Sequence, residues 1–171
     1  RVRPLEVVLG LADSIDRRDV ERILGDRAPR VRIVERATHE VMKHADTLLV
    51  ACGTAPLEAA ILGTPQVVVY GTSALTYGVA SRLVRVPHIC IVNLILERRA
   101  VPELVQHELT PERAAAEALR LLEEKPARVA QEEAFRVLRQ RLGASGAAKR
   151  AARSVLDVAG ILDAPPVCET P

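Results

Sequence analysis

Short, continuous apolar runs alternate along the first part of the chain with longer segments in which apolar and polar residues mix. Runs rich in Val, Ile and Leu, bounded by polar residues or glycine, are typical of strands buried on both faces of a sheet. The pattern predicts β-strands at residues 5–12, 31–35, 47–51, 66–70 and 88–92.

The segments between and after these runs carry signals for helix starts and stops. Asp16 and Thr38 are placed to cap two short helices, and Thr110 is followed by a proline that suits the first helical position. We predict no strand beyond Pro102. The predicted helices lie at residues 16–24, 38–44, 73–83, 110–124, 126–142 and 147–162, with another between Thr54 and Gly63.

Strands that alternate with helices in this way predict an α/β fold, a doubly wound parallel sheet followed by C-terminal helices. We assign the sheet-bearing region to residues 1–108 and the helices that pack on it to residues 109–162, and we expect a disordered, proline-rich tail at residues 163–171. Hydrophobic residues make up 49% of the chain but aromatic residues only 2%, so Leu, Val, Ala and Ile must fill the core.

Charge and cysteine content exclude several classes of function. The chain has 24 basic and 22 acidic residues, whereas nucleic-acid-binding domains usually carry a basic surplus, so we expect no nucleic-acid partner. A local basic surplus at residues 136–153 has two interpretations, a solvated helix face or attraction to an anionic membrane surface. Cys52, Cys90 and Cys168 form no CxxC pair, which indicates neither a zinc site nor a disulfide framework.

The stretch ACGTAPLEAAILGTP places a tight turn, Cys52-Gly53-Thr54, between a strand and a helix. Ligands of doubly wound sheets bind beyond the carboxyl ends of the strands. Gly53 lets an anionic oxygen approach the backbone, free N–H groups at the helix start favour phosphate, and Glu58 could accept hydrogen bonds from a vicinal diol. The alternative is purely structural, because glycine turns and first-turn acids are common at helix starts.

A second group of polar residues follows the predicted fifth strand. Asn93 lies between Val92 and Leu94, and its amide would need hydrogen-bond partners if it were buried; alternatively it caps a turn. Glu103 and Gln106 are spaced to share one face of a short helix, which could equally be a solvated face.

Three segments together resemble the C-terminal half of lipid-A-disaccharide synthase, a glycosyltransferase of the two-domain type B fold. They read ACGTAPLEAAILGTPQVVVY, LTYGVASRLVRVPHICIVNLI and VPELVQHELTPE, and their order and spacing match the family across most of residues 31–162. The resemblance implies that residues 1–108 form a Rossmann-like region that binds a UDP-sugar donor, with its first strand and helix upstream of Arg1.

The resemblance also implies an activity. The family joins UDP-2,3-diacylglucosamine to 2,3-diacylglucosamine 1-phosphate, releases UDP, and needs no metal or redox cofactor. It implies a lipid acceptor, a cytoplasmic location with peripheral contact to the inner face of a bacterial inner membrane, and possible homodimers. The acidic general base is expected in the acceptor domain, upstream of this chain, so the chain alone is not expected to transfer a sugar.

Each family position implies a role for a residue of this chain. Gly53, Thr54 and Ala55 would lie at the diphosphate, Glu58 would bind the ribose hydroxyls, and the other residues would line the donor cleft. The complete implied set of donor-binding residues is Cys52, Gly53, Thr54, Ala55, Glu58, Asn93, Glu103 and Gln106.

The chain departs from the family pattern at four places. Cys52 replaces Ser, Gly71 replaces a basic residue, Val92 replaces Pro, and Leu96-Glu97 replaces Ala-Gly. One alternative is another UDP-sugar transferase of the same fold with a different acceptor. The other is a non-catalytic nucleotide-binding or dimerisation module, which Cys52, Gly71 and Glu97 favour. The Cys52 thiol is also a weaker hydrogen-bond donor than a hydroxyl.

Overall fold

The computed structural model describes residues 5–73, 87–144 and 146–160. Its strands are β1 (Val7–Leu11), β2 (Val31–Glu35), β3 (Leu48–Ala51), β4 (Gln66–Tyr70) and β5 (Glu103–Val105). Its α-helices are α1 (Arg17–Leu24), α2 (Thr38–His44), α3 (Ala55–Leu62), α4 (Ile91–Leu96), α5 (Pro111–Glu123), α6 (Lys125–Leu142) and α7 (Ala147–Val158). Two short 3₁₀ helices span Gly25–Arg30 and Gln106–Glu108.

All strand pairs in the described residues are parallel, and they form two sheets. β1 pairs with β2, with Val7 opposite Val31. The other sheet has the order β3-β4-β5, with Leu48 opposite Gln66 and Val68 opposite Glu103. The predicted α/β class with parallel strands is therefore confirmed. Parallel strands end at a common edge, so the segments that follow β3, β4 and β5 are neighbours.

The chain divides into two compact units, residues 1–141 and 142–171. The first unit contains both sheets and nearly all of α6. The second contains α7, whose basic side chains lie on one side and whose Val155 and Val158 side chains lie on the other. The basic residues of α7 are Lys149, Arg150 and Arg153, and its larger apolar residues are Val155, Leu156 and Val158.

Strand β4 is buried on both faces, as its continuous apolar run predicts. Val67 belongs to one buried cluster with Leu121 of α5, and Val68 belongs to another with Phe135 of α6. Phe135 is the only phenylalanine of the chain and is fully buried. Small aliphatic side chains fill the rest of this second cluster: Val50, Ala60, Cys90, Val92, Leu96, Val101, Ala134 and Leu138.

A buried amide pair fixes α6 against the start of β4. The Gln66 N–H donates to Gln131 Oε1 at 2.9 Å, and Gln131 Nε2 donates to the Gln66 carbonyl at 3.0 Å. The Gln66 side chain in turn donates to the Pro56 carbonyl of α3 at 2.8 Å. Buried backbone groups need such partners, so this pair sets the position of α6 along the strand.

Most predicted helix ends are confirmed, and one cap is wrong. Asp16 accepts a hydrogen bond from the Arg18 N–H at 2.8 Å, and Thr110 Oγ1 accepts one from the Arg113 N–H at 3.2 Å. Thr38 does not cap α2, because it is the first helical residue; its hydroxyl instead donates to the Leu11 carbonyl at 3.5 Å.

The predicted fifth strand at residues 88–92 is wrong, because α4 begins at Ile91. Val92 and Leu96 are four residues apart and both are buried, so helical spacing turns this apolar run towards the core. The prediction of no strand beyond Pro102 is also wrong. β5 has only three residues and begins with Glu103, so its pattern is too short and too polar to read as a strand.

Glu103 and Gln106 consequently do not share a helix face. Glu103 lies in β5, and Gln106 begins the 3₁₀ helix that follows. The predicted helix at residues 73–83 falls, beyond Ser73, outside the described residues. The last helix ends at Val158 rather than at residue 162, and residues 161–162 likewise lie outside the described part.

The end of α4 generates a stability prediction. Glu97 adopts a left-handed conformation with φ 55°, which costs a residue with a Cβ roughly 1–2 kcal/mol. Its side chain is exposed and lies 3.6 Å from Arg141, a contact of small value at the surface. We expect Glu97→Gly to raise the melting temperature above that of Glu97→Ala in calorimetry. Both variants lose the ion pair, so equal melting temperatures would show that the backbone conformation carries no cost.

Candidate functional site

The turn after β3 opens to solvent at the carboxyl edge of the sheet. The Cys52 N–H donates to the Val69 carbonyl at 2.9 Å and so continues the β3–β4 ladder by one residue. Gly53 and Thr54 are exposed, and a Cβ built on Gly53 meets nothing within 4 Å. The Thr54 side chain makes no capping hydrogen bond to α3. In α3, Pro56 has no N–H, and the N–H groups of Leu57 and Glu58 already donate to the Thr54 carbonyl at 2.9 and 3.1 Å. The donors that this turn can offer to an anion are therefore the backbone N–H groups of Gly53, Thr54 and Ala55.

Glu58 lies in the first turn of α3, beside these donors. Its side chain is 43% exposed, while Pro56, Ala59 and Ala60 of the same helix are buried. Glu58 therefore lies on the open side of α3, which also exposes Ile61 and Leu62 at the end of the helix. His39 of α2 approaches from across the edge, with Nε2 at 3.6 Å from Glu58 Oε2.

A cavity of about 480 Å³ lies at the carboxyl ends of β1 and β2, on the His39 side of Glu58. This volume falls within the ~300–1,000 Å³ range of small-molecule sites. The residues that line it include both signs of charge: Asp13, Arg36, Ala37, Thr38, His39 and Glu40. A second cavity, of about 520 Å³, borders Val7 and Val31 at the opposite, amino edge of the same strands.

Asn93 is fully buried, and its amide is fully hydrogen-bonded. Oδ1 accepts from the N–H groups of Ala100 at 2.7 Å and Val101 at 2.9 Å. Nδ2 donates to the Val101 carbonyl at 2.9 Å and to Glu103 Oε1 at 2.6 Å. An amide with all four positions occupied is well placed inside a protein. Asn93 thus fixes the loop between α4 and β5.

Glu103 is 7% exposed, and protein donors surround its carboxylate. Besides Asn93 at Oε1, the Ile89 N–H donates to Oε2 at 2.9 Å, and His88 Nδ1 lies 3.5 Å from Oε1. Several donors offset the cost of burying a carboxylate.

Cys52 connects the open turn to this buried group. Its thiol donates to the Ile89 carbonyl, with Sγ and O separated by 3.4 Å. Partial burial raises the pKa of the Cys52 thiol, and the negative charge of Glu103 raises it further. Cys90 is fully buried, and its burial likewise raises the pKa of its thiol. Both thiols therefore remain protonated at neutral pH, and Cys52 can act as a donor.

Gln106 holds the segment that follows β4. Its Oε1 accepts from the Thr72 N–H at 3.0 Å, and its Nε2 donates to the Thr72 carbonyl at 2.8 Å. The segment after β4 and the segment after β5 are therefore joined at the same edge as the open turn.

The structure brings the predicted site residues into two groups at one edge. Gly53, Thr54, Ala55 and Glu58 form the open turn and the first turn of α3. Cys52, Asn93 and Glu103 form a hydrogen-bonded group around Ile89, and Gln106 lies next along the chain. Sequence reasoning missed His39 and His88, because neither stands in a motif and both contacts are between separate elements.

Within residues 5–73, 87–144 and 146–160, no group of three or more His, Cys, Asp or Glu is arranged to hold a metal ion. In the same ranges, no helix is both long enough and apolar enough to cross a membrane.

Comparisons with known proteins agree on one family. The family model for lipid-A-disaccharide synthetase matches residues 2–155. The lipid-A-disaccharide synthase of Anaeromyxobacter dehalogenans strain 2CP-C is 44% identical over 154 residues, which cover 90% of this chain and 40% of that protein. The synthase of Syntrophus aciditrophicus is 40% identical over 150 residues, 87% of this chain and 39% of the relative.

A more distant synthase shows the same coverage. That of Geobacter sulfurreducens is 33% identical over 160 residues, 94% of this chain and 42% of the relative. The chain therefore spans about two fifths of the length of these curated relatives.

The raised pKa values of the two thiols generate a prediction about reactivity. Thiolates, not thiols, attack disulfide reagents, so Cys52 and Cys90 should react with Ellman's reagent at least about tenfold more slowly in the folded chain than in denaturant at pH 8. A Cys168→Ser background removes the third thiol. Cys90 should be slower than Cys52, because only Cys90 is fully buried.

The raised pKa of the Cys52 thiol also predicts how the free energy of unfolding changes with pH. A thiol whose pKa is raised on folding contributes stability below its unfolded pKa, and this contribution disappears as the pH rises through the folded value. The free energy of unfolding should therefore fall above pH 9 more steeply in the wild type than in Cys52→Ala. Equal reactivity in the folded and unfolded chain would contradict the assigned burial of the thiols.

Proposed function

The chain belongs to the lipid-A-disaccharide synthetase family, and on that premise we propose that it is the part of a longer synthase that binds the nucleotide-sugar donor. The observation that carries the proposal is the open Cys52–Thr54 turn with Glu58 beside it, at the carboxyl edge of a parallel sheet. The proposed donor is UDP-2,3-diacylglucosamine, and the proposed acceptor is 2,3-diacylglucosamine 1-phosphate.

The diphosphate of the donor is assigned to Gly53, Thr54 and Ala55. Open space above Gly53 allows an oxygen to approach the backbone, and the N–H groups of Gly53, Thr54 and Ala55 supply donors. When the acceptor hydroxyl attacks the anomeric carbon, the bond from that carbon to the diphosphate oxygen breaks and UDP leaves with the electron pair. N–H groups aimed at this oxygen stabilise the charge that it gains.

The ribose of the donor is assigned to Glu58, whose carboxylate can accept hydrogen bonds from both hydroxyls. The exposure of Glu58 and its place one helical turn from the diphosphate donors support this role. The cavity on the His39 side offers space into which the rest of the nucleoside can extend.

The layer beneath the donor cleft is assigned to Cys52, Asn93, Glu103 and Gln106, of which Asn93 and Glu103 are buried and act without contact to the donor. Their hydrogen bonds join the segments that follow β3, β4 and β5, the edge at which ligands of such sheets bind. The proton of the attacking hydroxyl is assigned to an acidic base in the remainder of the longer protein. No residue of this chain is assigned a catalytic proton transfer.

Helix α7 supports a further part of the proposal, peripheral contact with an anionic membrane surface. Lys149, Arg150 and Arg153 lie on one side of the helix, and its apolar side chains Val155 and Val158 are exposed. A helix with this division of charge and apolar surface can lie in the plane of a membrane interface. Association of two copies through the same apolar side is the competing outcome.

The assignment of Glu58 generates a binding prediction. Glu58→Ala and Glu58→Gln should each weaken UDP binding to this chain by about tenfold or more in titration calorimetry, because hydrogen bonds to a charged acceptor are lost. The control ligand is 2′,3′-dideoxy-UDP, for which wild type and variants should have equal affinity. Unchanged UDP affinity in the variants would remove the role of Glu58, and a wild-type chain that fails to bind UDP would overturn the proposed function.

The assignment of α7 generates a prediction about lipids. The wild-type chain should sediment with phosphatidylglycerol vesicles and not with phosphatidylcholine vesicles. Lys149→Gln combined with Arg153→Gln should weaken this binding by roughly tenfold or more, since each basic residue near an anionic surface contributes about 1 kcal/mol. Arg18→Gln combined with Arg27→Gln is the matched control. Equal loss in both double variants, or a dimer in light scattering without vesicle binding, would contradict the membrane assignment.

A further inference from the structure

We propose that Glu103 is a positioning residue for the Cys52–Thr54 turn, which it holds in shape through Ile89 and the Cys52 thiol, and that Asn93 orients the Glu103 carboxylate for this task. The effect on ligand binding rests on the proposed function. The effect on the conformation of the turn does not, and it can be measured without a ligand.

Both oxygens of the Glu103 carboxylate already accept hydrogen bonds from the protein. Asn93 Nδ2 occupies Oε1 at 2.6 Å, and the Ile89 N–H occupies Oε2 at 2.9 Å. His88 Nδ1 lies 3.5 Å from Oε1, and its side chain is also largely buried. A carboxylate that is 7% exposed with both oxygens in use acts on a ligand through its neighbours rather than by contact.

The hydrogen bond from Asn93 restricts the orientation of the Glu103 carboxylate. The Asn93 amide is fixed by the N–H groups of Ala100 and Val101 and by the Val101 carbonyl. Its remaining N–H can point only at Glu103 Oε1. Glu103 Oε2 is thereby directed towards Ile89.

Ile89 is held on both sides. Its N–H donates to Glu103, and its carbonyl accepts from Cys52 Sγ at 3.4 Å. The backbone of Ile89 is thus a connector between a rigid buried carboxylate and the first residue of the open turn.

The turn has a flexible centre. Gly53 has no side chain and is exposed, so packing does not restrict its backbone. The thiol bond on its N-terminal side and the start of α3 on its C-terminal side limit its conformations. Cys52 therefore faces inward to Ile89, and its contribution to the site is to orient the N–H groups that follow.

The main test compares Glu103→Gln with a matched control, Gln131→Glu. Gln in place of Glu103 turns an NH₂ group towards one of two donors, Asn93 Nδ2 or the Ile89 N–H, and breaks that bond. Gln131→Glu likewise exchanges a buried amide and a carboxylate, but at the amino end of β4. Both variants should lower the melting temperature.

Only Glu103→Gln should act on the turn. In the ligand-free chain, the backbone order parameters of Gly53 and Thr54 from ¹⁵N relaxation should fall from about 0.85, typical of rigid backbone, to below about 0.6. UDP should bind about tenfold more weakly, as expected for the loss of a hydrogen bond to a charged group. Equal changes at Gly53 and Thr54 in both variants would overturn the proposal, because a general loss of stability would then explain them.

A second route avoids the buried position. Cys52→Ala should also lower the order parameters of Gly53 and Thr54, and Cys52→Ser should restore them, because a hydroxyl is a better donor to the Ile89 carbonyl. In the Cys52→Ala background, Glu103→Gln should have little additional effect on the turn. Fully additive effects of the two substitutions would overturn the proposal. A wild-type chain whose turn responds in this way but does not bind UDP would refute the proposed function alone.

Discussion

A buried carboxylate must find hydrogen-bond donors, and this requirement at Glu103 organises the whole carboxyl edge of the β3-β4-β5 sheet. The donors lie close together along the chain: the Asn93 amide in α4 and the Ile89 N–H just before that helix. The His88 ring lies 3.5 Å away. Removing one partner of a buried charge leaves the other uncompensated, so each contact depends on the rest. The short strand β5, the loop fixed by Asn93 and the approach of Ile89 to Cys52 all follow from the placement of this one group.

At the opposite, amino end of β4, a buried glutamine side chain fixes the strand through hydrogen bonds. The Gln131 side chain exchanges two hydrogen bonds with the backbone of Gln66 at the amino end of the strand. Apolar side chains from α5 and α6 cover the two faces of β4. With almost no aromatic residues, the core gains its apolar burial from many small contacts rather than a few large ones. Similar aliphatic side chains do not fix how α6 lies along β4, and the buried hydrogen bonds of Gln131 do. Because these bonds lie at the amino end of β4, they leave the open turn at the carboxyl edge unobstructed.

The sequence predicts those elements whose signal is local. The apolar run of β4 and the Asp16 and Thr110 caps are complete within a few residues, and the structure confirms them. The segment at residues 88–96 fails because an apolar run serves a strand and a buried helix equally well. The proline that the family carries at position 92 is a missed signal, because proline suits the first turn of a helix and not a central strand. Contacts between elements, such as Asn93 with Glu103 or His39 with Glu58, cannot be predicted from the residue pattern of either segment.

The departures from the family pattern gain a physical meaning from these contacts. Val92 is fully buried in the core that α4 shares with α6, and Glu97 directs its exposed side chain towards Arg141 of α6. Leu96, which stands where the family has Ala, is buried, so its larger side chain adds apolar contacts to the core. Cys52 is the one departure with a hydrogen bond that reaches the turn itself, and its thiol donates inward to Ile89. The difference between serine and cysteine at this position therefore concerns how firmly the turn is held, since either side chain can donate to the same carbonyl.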